Sequence, residues 1–245
     1  MKQTKIDWCD CTINPVVGCP RGCTYCYAKK LNARFGWVAD FSKPQFFPDR
    51  LAQLSSKTPK SIFINSMSDI AFWTPNQLKE TIAAMLKNNQ HKYIALTKDF
   101  MKYLTVFMLA VGRNYPILSK IRGLLFVGET ITTQDDIRFE TINGIPVSTD
   151  FINIEPILAP INLDDKLSGD TAYELIIIGA ETGNRKGKII PSKQWIDDIV
   201  TQADKHHIKV FMKESLRAIM SNDFRQDGLI WSICSEGQKC RKGIE

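Results

Sequence analysis

No stretch of about 18 consecutive apolar residues occurs in the sequence, so a membrane span is not expected. Met1-Lys2-Gln3-Thr4-Lys5 leads into polar residues with no apolar segment behind it. That argues against a secretory signal and for a cytoplasmic protein. Histidine is scarce: the three are His91, His206 and His207, all far from the N-terminal cysteines. No linker-like tract, low-complexity segment or short-period repeat appears, so one domain over residues 1–217 with a C-terminal extension over 218–245 is the simplest organisation. The glycine-rich stretch at 179–188 lacks the Gly-Lys-Ser/Thr of a phosphate-binding P-loop and the three-glycine dinucleotide fingerprint. With 44% hydrophobic and 24% charged residues, the composition also excludes disordered and collagen-like classes.

What is present is concentrated at one end. Five of the seven cysteines fall within the first 26 residues, as Cys9, Cys11, Cys19, Cys23 and Cys26. The other two, Cys234 and Cys240, lie close to the end. An odd count in a cytosolic chain points to metal ligands or reactive thiols, not to a disulfide framework. The net charge of +6 is compatible with nucleic acid or another anionic substrate, without selecting one.

Short β-branched runs recur at 61–65, 93–97, 124–128, 151–155, 175–179 and 208–212, with a possible first strand around 12–17. Most are continuously apolar, as strands covered on both faces are. Between them the spacing predicts helices at about 28–35, 75–88, 99–111, 132–141 and 192–206, the second opened by Thr74 and Pro75 as N-cap and first helical residue. This alternation implies right-handed βαβ units. The expected class is therefore α/β, a partial (β/α) barrel of about six or seven parallel strands or a doubly wound sheet. Polar residues follow nearly every run: Asn65, Ser66, Ser68 and Asp69; Thr97 and Lys98; Glu129 and Thr130; Asn153 and Glu155; Glu181 and Thr182; Lys213 and Glu214. Singly, each reads as a cap or a solvated charge. As a set at strand C-termini they mark a candidate active site.

Cys19, Cys23 and Cys26 form C-x3-C-x2-C, with Gly18 and Gly22 permitting tight turns. Three close thiols leave an open metal position, which chemistry needs and structural sites lack. The other reading of the spacing is a zinc site that recruits Cys9 or Cys11 as a fourth ligand.

C-x3-C-x2-C with an aromatic residue, Tyr25, before the third cysteine resembles the radical SAM superfamily. The blocks at 6–8, 12–19, 62–69, 96–98, 127–130, 154–161, 178–183 and 211–213 also resemble a phage-associated family of unassigned function, whose members often have a longer first cysteine gap. The stretch 23–27 is similar to spore photoproduct lyase. These resemblances imply a [4Fe-4S] cluster on Cys19, Cys23 and Cys26, and S-adenosyl-L-methionine on its open iron. They also imply a 5′-deoxyadenosyl radical as hydrogen abstractor and an electron donor such as flavodoxin or ferredoxin.

By the same analogy Tyr25, Asn65, Ser66, Ser68, Lys98, Glu129 and Glu181 would bind the cofactor, and Glu129, Glu155 and Lys213 would serve catalysis. The implied substrate is a modified thymine in phage DNA or a nucleotide, and the implied enzyme an isomerase or tailoring enzyme in the host cytoplasm. Arg185, Lys186 and Lys188 could grip phosphate, and Cys9, Cys11, Cys234 or Cys240 could act as hydrogen-donating thiols. The rivals are radical modification of RNA or peptide, and a non-enzymatic zinc or iron–sulfur protein that binds nucleic acid.

Overall fold

Each apolar run named above forms a strand in the computed structural model, which describes residues 2–168 and 173–232. The chain divides into two compact units, Met1–Val127 and Gly128–Glu245. The class is mixed α/β, with seven parallel strands.

In chain order the first unit holds β1 (Lys2–Gln3), β2 (Cys11–Thr12), β3 (Val16–Val17), α1 (Tyr27–Phe35), β4 (Gln45–Phe46), β5 (Ser61–Phe63), α2 (Pro75–Lys87), β6 (Lys92–Thr97), α3 (Phe100–Val111), α4 (Tyr115–Ile121) and the start of β7 (Leu125–Thr130). Its sheet runs β1-β2-β5-β6-β7, with only β1 antiparallel to its neighbour, and β3 pairs with β4 as a separate ribbon. Thr74 caps α2 as the sequence predicts. Its hydroxyl accepts from Gln77 N at 3.3 Å while Gln77 Oε1 accepts from Thr74 N at 2.8 Å, so two donors without helical partners are satisfied reciprocally. The apolar stripe of that helix, Leu78, Ile82 and Met85, packs against Ile62, Ile64 and Tyr93 of the sheet. Helix α4 is absent from the expectations above. Asn114 starts it by accepting from Ile117 N at 3.2 Å, and Pro116 near its start suits the first turn.

The second unit holds the rest of β7, then β8 (Glu140–Ile142), β9 (Ile145–Val147), β10 (Phe151–Ile154), α5 (Asp164–Leu167), β11 (Leu175–Ile178), α6 (Lys193–Lys205), β12 (Lys209–Met212) and α7 (Arg217–Met220). Strands β7, β10, β11 and β12 are parallel neighbours in that order. Ile152, Ile154, Ile176 and Ile178 pack with Ile196 and Ile199 of α6. Strand alternation turns Phe151, Asn153 and Glu155 to the opposite face. Gly128 is paired with Phe151, and a Cβ on it would lie 2.4 Å from the Phe151 ring, so only glycine leaves room for that side chain.

The helix expected over 132–141 does not form. Asp136 Oδ2 accepts from Thr132 N, Thr132 Oγ1 and Thr133 N, which closes a single 3-10 turn at Gln134–Asp136. The chain then enters the β8–β9 hairpin through Asn143 and Gly144, both at positive φ. An Asn-Gly pair between β-prone residues is a hairpin signal, and here it outweighs helical spacing.

Residues 225–227 run antiparallel along β12. Met212 N donates to Arg225 O at 2.8 Å and Asp227 N to Val210 O at 2.9 Å. Trp231 is fully buried with its ring centroid 4.9 Å from that of Phe151. Cys234 and Cys240 lie outside the described residues. Among the described residues no helix is long and apolar enough to cross a membrane.

Candidate metal centre

The cysteine loop is fixed at its entry by backbone geometry. Gly18 sits at φ +116°, and a Cβ there would lie 3.0 Å from both Phe41 O and Pro44 Cα. Any other residue would be strained and would push the 41–44 backbone away. Gly18 N donates to Met67 O at 3.0 Å, and Cys19 N donates to Phe41 O at 2.7 Å. Gly22 supplies a second positive φ, and Cys26 N donates to Cys23 O at 3.2 Å to close the turn between the last two cysteines. Cys26 is also the N-cap of α1, its sulfur accepting from Lys29 N at 3.4 Å. A thiolate there would meet the positive end of the helix.

Cys19, Cys23 and Cys26 line one cavity of about 150 Å³, whose walls also include Arg21, Lys29 and Asp40. Burial pushes the Cys19 thiol up to about 11, and burial also raises Cys26 against the opposing pull of the Lys29 and Ala28 amides. Both are held as neutral thiols, so ligation to a metal displaces their protons. The Ser42 hydroxyl and amide hold the Asp40 carboxyl below the usual carboxylate range.

Cys9 and Cys11 do not line this cavity. Both are buried, and Cys11 packs in the core of the first unit beside Ile62 and Tyr93, where burial raises its pKa. The loop therefore brings Cys19, Cys23 and Cys26, and neither Cys9 nor Cys11, to the wall of this cavity. Among the described residues no three His, Cys, Asp or Glu side chains converge closely enough for a single metal ion.

The loop is anchored to the sheet through Asp69. Its Oδ2 accepts from Arg21 Nε at 3.0 Å and Lys98 N at 3.1 Å. Its Oδ1 accepts from Ala71 N at 3.0 Å and Thr97 Oγ1 at 2.8 Å. Arg21 also lies 3.7 Å from Asp99 and over the Phe72 ring.

The expected site residues of the first unit fall into two groups. Lys98 Nζ lies 5.8 Å from the centroid of the Tyr25 ring, so two expected cofactor contacts come together in a cation–π arrangement. The other three are engaged internally. Asn65 is buried and bonds to both Leu96 O and Leu96 N, at 2.6 and 3.0 Å. Ser66 Oγ donates to Asn14 Oδ1, Ser68 Oγ accepts from the Trp73 indole, and Tyr27 OH donates to Ser66 O at 2.6 Å.

In the second unit Glu129 accepts from the Tyr173 hydroxyl and pairs with Lys166 at 3.0 Å, all three buried. Burial and the adjacent carboxylate hold the Tyr173 phenol far above its usual value. Internal partners thus account for this buried carboxylate without a ligand. Glu181 is buried and held bidentately by Arg185, at 2.6 and 2.7 Å. Arg185, singled out above as a phosphate grip, is thereby committed to a carboxylate. Glu155 and Lys213 form a part-buried ion pair, and Gly179 lies beneath it: a Cβ there would come 2.9 Å from Lys213 Cδ and 3.2 Å from Glu155 Cγ.

Comparison with known families adds one result. The sequence profile of a family described as Protein of unknown function (DUF5131) matches residues 3–225. The chain belongs to the DUF5131 family. No curated protein and no solved structure matches it. The match takes in the cysteine loop and every strand from β2 to β12 but none of residues 226–245.

The sequence places Asp69 among the strand-end residues without a role of its own, shows Arg21 and Lys29 only as a loop residue and a scattered basic residue, and gives no sign of Asp40. Arg21 carried a readable signal, since it stands between two candidate ligands in a loop with no acidic residue. Asp40 and Ser42 carried none, because only the closure of residues 41–44 over Gly18 brings them to the sulfurs.

Proposed function

We propose that this chain is a radical SAM enzyme, a partial (β/α) barrel in type, that abstracts hydrogen from a modified pyrimidine in DNA or a nucleotide. The observation that carries the reading is the three-thiol set: Cys19, Cys23 and Cys26 line one cavity while Cys9 and Cys11 are buried away from it. When bound, a [4Fe-4S] cluster with S-adenosyl-L-methionine supplies hydrogen-atom abstraction. The chain's own part is to give up the thiol protons and hold three irons through Cys19, Cys23 and Cys26. Arg21 and Lys29 at the cavity wall offset the negative charge of the thiolates. Tyr25 and Lys98 offer a ring face and an ammonium to the cofactor. Asn65, Ser66 and Ser68 act as positioning residues, since each side chain already has a partner within the unit.

Glu155 and Lys213 are the proposed substrate-handling groups of the second unit, because together they can hold a proton on either a carboxylate or an amine. A thymine-derived base and an isomerase or tailoring reaction are supported by the phage-family resemblance and the net charge of +6. An electron donor of the flavodoxin or ferredoxin class would supply the reducing electron.

The test is anaerobic reconstitution with iron and sulfide. A brown protein with about four irons per chain that cleaves S-adenosyl-L-methionine under reduction supports the reading. A colourless protein with stoichiometric zinc ends it. Cys23→Ala should lose cluster and cleavage together.

A further inference from the structure

Helix α1 leaves the cysteine loop with its outer face occupied by alternating rings and cations. Tyr27, Lys30, Arg34 and Phe35 fall at helical positions i, i+3, i+7 and i+8, and all four are exposed. Ala28 and Asn32 form the buried side. Gly36 then turns at φ +65°, its N–H returning to Asn32 O at 2.7 Å, and brings Trp37 back over the helix end. Phe35 and Trp37 stack with centroids 5.1 Å apart and planes 30° from parallel, at 55% and 39% exposure. Arg34 lies 5.2 Å from the Phe35 centroid.

This turn is not loose. The buried Asn32 side chain donates to Val38 O at 2.8 Å and accepts from Val38 N at 3.0 Å, locking the residue that follows Trp37. Val38 is itself buried with Val17, Ala28, Phe41 and Met67. A buried amide clamp thus fixes two aromatic rings in water. Between residues 27 and 39 the chain carries Lys29, Lys30 and Arg34 and no acidic side chain.

Rigid exposed rings interleaved with cations match the needs of a single nucleic-acid strand, whose bases stack on the rings while the phosphates meet the cations. A bilayer would require a continuous apolar face, but the exposed side of this helix carries Lys29, Lys30 and Arg34.

We propose that the exposed face of α1 with Trp37 is a docking track for single-stranded nucleic acid. It deepens the reading above by adding a polymer-binding surface, and it rests only on the nucleic-acid part of that reading. Binding can therefore be read without cluster, cofactor or turnover.

The experiment is fluorescence anisotropy of a labelled single strand of about 15 nucleotides with the full chain, over a series of salt concentrations. Binding should weaken about tenfold in a Phe35→Ala/Trp37→Ala variant. A Lys30→Gln/Arg34→Gln variant should flatten the log–log salt slope by roughly 1.4, since each phosphate neutralised on a single strand contributes about 0.7. All four side chains are exposed, so the thermal midpoint should hold, which distinguishes weakened docking from unfolding. The proposal is overturned if both variants bind the strand within twofold of the parent. It is equally overturned if the parent binds phosphatidylserine vesicles but no oligonucleotide. Absence of strand binding with S-adenosyl-L-methionine cleavage intact would remove the track and leave the chemistry; the reverse would remove the chemistry and leave the track.

Discussion

Arg21 Nε donates to Asp69 Oδ2 at 3.0 Å, and this hydrogen bond joins the loop between Cys19 and Cys23 to the polypeptide that follows β5. Asp69 holds four donors at once: that guanidinium, two backbone amides and the Thr97 hydroxyl. Its carboxylate is therefore both a fold element and a rest for the ligand loop.

Asp69→Asn keeps the shape but removes the charge and places an NH₂ group against donors. The variant should lose about 2 kcal/mol of stability, read as a lower urea midpoint. Iron bound per chain on reconstitution should also fall. Unchanged iron content at reduced stability would separate Asp69 from the ligand loop.

The N-terminal cysteines should divide cleanly by function. Cys11→Ala should lower stability by about 1 kcal/mol through reduced burial in the core of the first unit, with iron uptake unchanged. Cys19→Ala should abolish iron uptake with a smaller effect on the urea midpoint. Iron loss in the Cys11 variant would bring a fourth ligand back into play.

Two glycines report on tight spots in the second unit. Gly128→Ala sets a methyl group 2.4 Å from the fully buried Phe151 ring and should destabilise by about 3 kcal/mol. Gly179→Ala presses instead on Lys213 Cδ and Glu155, side chains with freedom to move. Its thermal midpoint should shift less than that of the Gly128 variant. Turnover should fall while cluster content stays constant, if Glu155 and Lys213 handle substrate.

Acid sensitivity has one named contributor in Asp227. Burial pushes its carboxyl up, but Arg225 and the Val210 amide outweigh that and hold it below the ordinary range. A carboxyl depressed in the folded state stabilises above its unfolded pKa of about 3.9, and that stability is lost as pH falls through the folded value. Asp227→Asn should therefore be less stable than the parent at pH 6, and the gap should begin to narrow near pH 4 and close only below the depressed folded value. A gap independent of pH, measured by urea unfolding at both values, would assign the effect to packing instead.

The six main parallel strands β5, β6, β7, β10, β11 and β12 were legible because they are continuous β-branched runs, and α2 because of Thr74-Pro75 and its apolar spacing. The region 132–141 misled because helical spacing there competes with Asp136, whose carboxylate ties off one turn, and with Asn143-Gly144, which demands a hairpin. That Cys19, Cys23 and Cys26 lie together on one cavity follows from their close spacing in a single loop. Asp40 and Ser42 could not, since their approach depends on contacts across more than 20 residues of chain. Nor does sequence distinguish Glu129, held by Tyr173 and Lys166, from Glu155, which lies beside a glycine that leaves space over the strand. Both are carboxylates at strand ends, and only the three-dimensional neighbours separate them.

The pairing of residues 225–227 with β12 has a consequence for self-association. A parallel strand at the margin of a sheet presents a row of unmet donors and acceptors, which templates the addition of another chain. Met212 N and Val210 O are satisfied here by Arg225 O and Asp227 N. Trp231 packs at a tilt against Phe151 just beyond and pins that covering segment in place. A chain cut after residue 224 would bare this margin along with the Phe151 ring, and light scattering should then record aggregates that the intact protein does not form.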